Sequence, residues 1–509
     1  MLATPIVRSG HSVTSGTGPL FTLPESSVFK QFLKDSVIYG LASILVRSLS
    51  LLLVPLYTRA LVPADYGVID LLTAFTTFVN FTVALEVSQA VARYLPDTKS
   101  PEERTGYAST SFWWALGAYG VFTVLAWPLA GQFSTWLFND SHRSGVFDVA
   151  LVAIWINGLF LIVQSQLRYS LKPRAYTIAS LVFAFASMAT SIVFVLVLRQ
   201  GVIGVIYGQV AGGIIGLATA LYLSREVYGF RFEPSKLAVM LRFSIPLVPS
   251  SVGVFVCLYM DRIAIEQLMT LTDVGLFGIG YRVASVTSLL MVAFVAALTP
   301  LIYTHFRDPE TPRELARIFR YFTALGIGLC LGLSLFAHDI LAVIATSAYV
   351  DGAVVVPFLA PALLLANMYI FAPGLGIAKR TSWIAAINIA GAAANVVMNY
   401  ALVPHLGIRG AALSTLLCNI AIFGATMVAS QKLYPVPHDW RRLGLAVAVA
   451  VGLFVVGDVV PLSGIAGVAF RLCLLGVAGL VCLQLKLVDF GDLRRAARRV
   501  RDVFSPSLT

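Results

Sequence analysis

Residues 255–268 read FVCLYMDRIAIEQL, an apolar run of membrane-helix character that nevertheless carries Asp261 and Arg262 side by side and Glu266 one turn later. A charged side chain at the centre of a bilayer costs about 2.5–3.5 kcal/mol on insertion scales, so such groups are expected to face water or a partner. Read as a lipid-facing helix, the stretch is self-defeating. As the wall of an aqueous cleft between packed helices it makes sense, and the rest of the chain supports that reading.

The chain has 509 residues, of which 58% are hydrophobic and only 12% charged. Its mean hydropathy is +0.85. Soluble domains carry roughly 25% charged residues, so this chain cannot cover itself with polar surface. Apolar runs recur that are long enough to cross a hydrocarbon core of about 30 Å. The expected spans are 36–58, 68–91, 108–130, 147–167, 176–198, 201–223, 244–266, 276–302, 318–337, 354–376, 381–403, 408–430, 443–461 and 463–485. The expected fold is therefore an all-α polytopic membrane protein with about 14 transmembrane helices.

Lysine and arginine test this map. With the N-terminus placed in the cytoplasm, the opposite side holds only Arg59, Arg143, Arg199 and Arg409, and Arg47, Arg262, Arg282 and Arg471 fall inside spans. All other members of the 36 Lys and Arg fall on the cytoplasmic side, the bias of the positive-inside rule. Both termini are thus expected in the cytoplasm. The net charge of +11 follows from topology and does not argue for nucleic acid. Residues 1–30 read as a disordered tail. Residues 486–509 read as a basic amphipathic tail on the inner leaflet, with Leu493, Ala497, Val500 and Phe504 at helical spacing.

The two halves echo each other. Pro63-Ala-Asp65-Tyr-Gly67 follows span one, and Leu271-Thr-Asp273-Val-Gly275 follows span seven. Gly201-Val-Ile-Gly204 opens span six, and Gly407-Ile-Arg-Gly410 opens span twelve, at nearly the same interval. FSTWLF at 133–138 and DILAVIA at 339–345 read as matching short interfacial helices. The expected organisation is a six-helix bundle over 31–223, a cytoplasmic linker over 224–243, a second six-helix bundle over 244–430 around a shared central cavity, and two extra helices over 431–485. Repeats of this kind place a substrate route between the halves. Gly204, Gly208, Gly212 and Gly216 in span six give a face for close helix packing.

The charged residues concentrate on equivalent helices. Arg47 lies in span one, Asp70 and Glu86 in span two, Asp261, Arg262 and Glu266 in span seven, and Arg282 in span eight. Arg47, Arg262 and Arg282 suit an anionic headgroup, because guanidinium forks hold phosphate oxygens and stay charged. The same residues also suit ion pairs, such as Arg262 or Arg282 with Asp70 or Glu266. Neighbours on a helix point about 100° apart, so Asp261 and Arg262 cannot both face one ligand atom. Asp261 or Glu86 is a candidate to carry a coupling proton. Polar and aromatic candidates for ligand contact include Tyr39, Asn80, Gln89, Tyr259, Asn367, Tyr369, Asn388 and Asn395. The five cysteines lie in apolar runs without a CxxC pair. No Walker A loop, DxD or HExxH is present, so neither ATP hydrolysis nor an enzyme reading is supported, and no cofactor or metal is expected.

The run PLYTRALVPADYG at 55–67 resembles the first loop of bacterial polysaccharide flippases of the Wzx type, within the multidrug/oligosaccharidyl-lipid/polysaccharide exporter superfamily. Asp261-Arg262, Asp273-Val-Gly275 and Tyr281 resemble the matching second-half motif, with Phe277 where the family commonly has Tyr. Asn395-Val-Val-Met-Asn399 through Pro404 to Ala412 resembles the hairpin between spans eleven and twelve. The resemblance implies an alternating-access carrier in the bacterial inner membrane that moves an undecaprenyl-diphosphate-linked oligosaccharide to the periplasmic leaflet. The implied partners are that lipid-linked glycan, the bilayer itself, and a polysaccharide polymerase with its co-polymerase. A lipid II flippase and a cation-coupled multidrug antiporter of the same superfamily remain as alternatives. A mainly acidic cavity and twelve spans would favour the antiporter.

Overall fold

The computed structural model describes residues 40, 44–46, 48–49, 51–98, 100–140, 143–460, 462 and 464–488. Arg47, Tyr39 and both expected tails lie outside the described residues.

Pro, Ser, Thr and Gly punctuate a helical chain. Helix α1 (Val54–Ala60) ends the first span, and α2 (Pro63–Thr82) with α3 (Val87–Tyr94) forms the second. Helix α4 (Pro101–Ala126) passes through a 3-10 turn into the short α5 (Ala130–Phe138). Helices α6 (Ser144–Tyr169), α7 (Pro173–Ile192) and α8 (Gly201–Leu223) complete the first half. In the second half, α9 (Pro234–Ser244) leads through a 3-10 turn into α10 (Val248–Leu268), and α11 (Leu271–Ala284) leads into α12 (Val286–His305). They are followed by α13 (Thr311–Leu335), the short α14 (Ala337–Ile344), α15 (Val356–Ala366), α16 (Gly374–Ile377), α17 (Thr381–Leu406) and α18 (Ile408–Leu433). Two last helices, α19 (Trp440–Val459) and α20 (Gly464–Gln484), close the described chain. Pro at the first turn of α2, α4, α7 and α9 removes an amide that has no intrahelical partner there.

Among the described residues, 12 helices are long and apolar enough to cross a membrane, or 13 with the bent α2–α3 pair counted as one span. The remaining expected span is the first, most of which precedes α1. The match to the expected map is close: span six, expected at 201–223, is Gly201–Leu223. Two features differ from expectation. Part of the expected 224–243 linker is the helix α9, which runs on to Leu268 as one 35-residue segment. Span two is broken, with a 49° bend between its arms. Leu85 and Glu86 both take left-handed φ, 52° and 53°, a conformation that disfavours side chains larger than glycine.

The pairing of helices repeats. In the first half α4 packs on α6, α6 on α8 and α7 on α8. In the second half α13 packs on α15, α15 on α18 and α17 on α18, the same three pairings six spans later. Helices α19 and α20 pack on α13. The glycine face of α8 does what its spacing suggests. A Cβ on Gly204, Gly208, Gly212 or Gly216 would press on Phe194, Ser191, Ser187 and Phe183 of the preceding span. Gly201 and Gly407, which open the two matching hairpins, have φ of +59° and +60°, which is why glycine stands at both turns.

The halves meet chiefly through α2, which packs on α11 and α10. That crossing lies at the end of the molecule that the lysine and arginine pattern leaves poor in cations, called below the arginine-poor end.

Candidate functional site

The two repeated loop motifs start the helices that meet. In the second motif, Thr270 caps α11: its hydroxyl accepts from the Asp273 amide at 3.3 Å, and the Thr270 amide donates to the Asp273 carboxylate at 3.2 Å. This reciprocal box satisfies two amides that a helix start leaves bare. In the first motif, Asp65 sits in the first turn of α2 and accepts from Arg143 at 3.1 Å. The glycine that ends each motif then faces the other helix. A Cβ on Gly67 would overlap the Leu271 carbonyl oxygen, and one on Gly275 would overlap the Pro63 carbonyl oxygen. Three further contacts tie the halves at this end. The Tyr349 hydroxyl donates to the Leu61 carbonyl at 2.9 Å, Thr346 donates to the Thr58 carbonyl at 3.2 Å, and Tyr66 packs edge-on against Tyr349. The cleft between the halves is closed at the arginine-poor end.

One turn deeper lies the charge cluster. Arg262 donates from Nε to Asp70 Oδ2 at 3.2 Å and from Nη1 to the Leu258 carbonyl at 3.2 Å. Arg282 Nη2 lies 3.5 Å from the other Asp70 oxygen. The Arg262 guanidinium is also held over Tyr281, 4.3 Å from the ring centre, and near Tyr259 and Phe277. Arg282 lies over Tyr66 at 5.0 Å. Two guanidinium groups share one carboxylate, so the cluster is short of one negative charge in a medium that screens poorly. The two arginines are not equally available, because the Arg262 side chain is 5% exposed and that of Arg282 is 26% exposed. Of the three arginines singled out in the sequence, Arg262 and Arg282 are brought together, and Arg47 lies outside the described residues. Of the two sequence readings of this pair, the ion pairs with Asp70 are present.

Asp261 points the other way, as helix geometry requires. It is buried, and it accepts from Asn399 Nδ2 at 2.8 Å, Asn395 Nδ2 at 3.5 Å and Thr415 Oγ1 at 2.6 Å. These partners come from α17 and α18. No described Lys or Arg pairs with Asp261, and the Asn399 side-chain oxygen is buried without a partner. A buried carboxylate that makes no ion pair is costly, so Asp261, held by three donors, is a candidate to take a proton. Asn399 and Thr415 were not among the sequence candidates. The i, i+4 pair of asparagines in an apolar helix was the available signal.

Glu86 lies at the break between α2 and α3, where its carboxylate accepts from Ser251 at 2.5 Å. Trp114 Nε1 donates at 3.3 Å to the Ala84 carbonyl at the same break, which also accepts the Val87 amide at 3.2 Å. Glu266 is half-buried and has no ion pair among the described residues. Arg471 pairs with Asp339, which binds α20 to the short α14. The polar ligand-contact candidates scatter. Asn80 accepts from Tyr119, Tyr259 bonds Thr77, and Asn367 donates to its own helix. Tyr369 and Asn388 line a cavity of about 390 Å³ between spans eight, ten, eleven and twelve, with Thr299 and Thr426.

The sequence profile of a family described as "Polysaccharide biosynthesis protein" matches residues 56–354, more than half of the chain. A Haemophilus influenzae protein, "Lsg locus putative protein 1", is 25% identical over 291 residues, which cover 54% of this chain and 67% of that protein. Among solved structures, "Lipid II flippase MurJ, inward closed conformation" has a TM-score of 0.68 at 13% identity, covering 90% of this chain and 99% of that one. A "multidrug resistance MATE family transporter of the MOP superfamily" in its inward-facing conformation has a TM-score of 0.62 at 14% identity, covering 78% and 97%. At these identities the structural likeness establishes the fold.

Proposed function

Because the chain belongs to the polysaccharide biosynthesis protein family, we propose that it is a flippase for undecaprenyl-diphosphate-linked oligosaccharide, working by alternating access in the bacterial inner membrane. The observation that carries this reading is the surplus positive charge of Arg262 and Arg282 around Asp70. It sits between the halves rather than against lipid, where a diphosphate would supply the missing negative charge. On this reading residues 31–223 and 244–430 are the two moving bundles. Residues 431–485 are appended helices. The arginine-poor end faces the periplasm and both termini face the cytoplasm. Arg282 makes first contact with the headgroup, Arg262 supports it, and Arg47 is a third contact. Asp261, with Asn395, Asn399 and Thr415, is the coupling site and takes a proton or a monovalent cation. The chain acts as a carrier, and the glycan is passed to a polymerase and co-polymerase.

The test is reconstitution. Proteoliposomes holding the purified chain should move a fluorescent undecaprenyl-diphosphate-linked saccharide between leaflets, and Arg282→Ala should stop it with the protein still inserted. Movement of lipid II at an equal rate would favour the peptidoglycan alternative. Cation efflux without lipid movement would overturn the proposal in favour of an antiporter.

A further inference from the structure

Asp70 does more than neutralise a charge. It stands on α2, in the first half, and offers its two oxygens to arginines on two different helices of the second half: Oδ2 to Arg262 at 3.2 Å and Oδ1 toward Arg282 at 3.5 Å. A phosphate between two guanidinium groups would be held in the same way, one anion presenting separate oxygens to two forks. The fit depends on Gly278, because a Cβ there would collide with the Asp70 carboxylate. The same helix pair forms the closed crossing at Gly67 and Gly275 one turn away. Whatever takes the arginines from Asp70 therefore also removes an attachment between α2 and the second half.

We propose that Asp70 is a resident anion that occupies Arg262 and Arg282 in place of a diphosphate and that the diphosphate displaces, so that headgroup binding loosens the closed arginine-poor end. This rests on the reading that these arginines take the headgroup. Linkage makes the coupling reciprocal: anion binding favours the loosened end, and loosening that end favours the anion. Removing the resident anion should then tighten the binding of an external one. A purely structural ion pair predicts the opposite, since losing Asp70 would free the arginine side chains to scatter.

The experiment uses the full chain in nanodiscs, with its five cysteines replaced by alanine. Inorganic pyrophosphate is titrated by calorimetry, with sulfate at matched ionic strength as the control. Spin labels at Val62→Cys and Val343→Cys, both exposed near the closed crossing, report the separation of the halves. The wild-type gate should show one short distance that lengthens with pyrophosphate and not with sulfate. Asp70→Asn should start long, respond little, and bind pyrophosphate about fivefold or more tighter. Gly278→Ala, which displaces the carboxylate without removing its charge, should shift both readouts the same way and covers the case in which Asp70→Asn does not fold. Unchanged or weaker pyrophosphate binding by Asp70→Asn, with weaker binding by Arg282→Ala, overturns the displacement and leaves the headgroup reading intact. Equal binding by wild type and Arg282→Ala overturns both. Farnesyl diphosphate in the same titration separates the ligand sources. Tighter binding than pyrophosphate supports a lipid-linked diphosphate, and equal binding supports displacement by the phosphate chemistry alone.

Discussion

Gly67 and Gly275 occupy matching positions in the two repeats, and each leans on the other half's backbone, Gly67 on the Leu271 carbonyl and Gly275 on the Pro63 carbonyl. The contact is reciprocal, as a pseudo-twofold axis between the halves requires. A methyl group at either position has no space without parting α2 from α11.

Gly67→Ala and Gly275→Ala are therefore each expected to prevent closure, lowering surface polysaccharide more than tenfold and stability by about 1–3 kcal/mol. Gly117→Ala and Gly328→Ala, whose added Cβ atoms meet nothing within 4 Å, should leave transport intact and change stability by no more than about 1 kcal/mol. Polysaccharide assay normalised to membrane abundance, with thermal unfolding of the purified variants, checks both pairs.

The two cluster arginines should separate by phenotype. Arg262→Ala leaves Asp70 buried beside a single, more distant guanidinium and should lower stability by about 3 kcal/mol. Arg282→Ala removes a part-exposed group and should cost about 1 kcal/mol or less while abolishing lipid-linked substrate movement. Arg282→Lys should not restore it, because a point charge cannot reproduce the fork. Similar unfolding temperatures for the two alanine variants would contradict this assignment.

Asp261→Asn should uncouple function from stability. Removing a buried charge that makes no ion pair is expected to leave the unfolding temperature unchanged or raise it, whereas leaflet-to-leaflet transport should lose its dependence on the proton or sodium gradient. Transport by Asp261→Asn that still follows the gradient would exclude this residue from coupling.

His438 lies in the loop between α18 and α19, against Phe319 and Trp440, with neither ring nitrogen bonded. Burial pushes its imidazole down to about 4 from an ordinary value near 6.5. The unfolded chain thus binds a proton before the folded one does. The stability contributed by the neutral ring is present in full above about pH 6.5 and is lost as pH falls toward 4. His438→Phe should flatten the pH dependence of unfolding across that window. An identical slope in the variant would show that other groups cause it.

The number and placement of the spans were legible because long apolar runs and the cation bias constrain one another. The divergence of Asp261 and Arg262 was legible too, since it follows from helical rotation alone. Which neighbour each would find was not, because that depends on the depth at which α2, α11, α17 and α18 cross. Asp70 was recognised only as one candidate partner among several, and its bridging of two arginines needs a register that no local pattern encodes. The bend at Leu85 and Glu86 gave no warning, for neither residue is a helix breaker. The strain there is imposed by packing on both sides.

That bend has a mechanical corollary. Its upper arm, α2, is seated mainly on α10 and α11, while its lower arm, α3, is seated on α4, α6 and α9. One helix thus serves two masters across the thickness of the bilayer. Motion that carried α2 with the second half while α3 stayed on α4 and α6 would turn the two torsions at that elbow, and it would have to part α3 from α9. Such a span would act as a crank, with its throw set by Leu85 and Glu86.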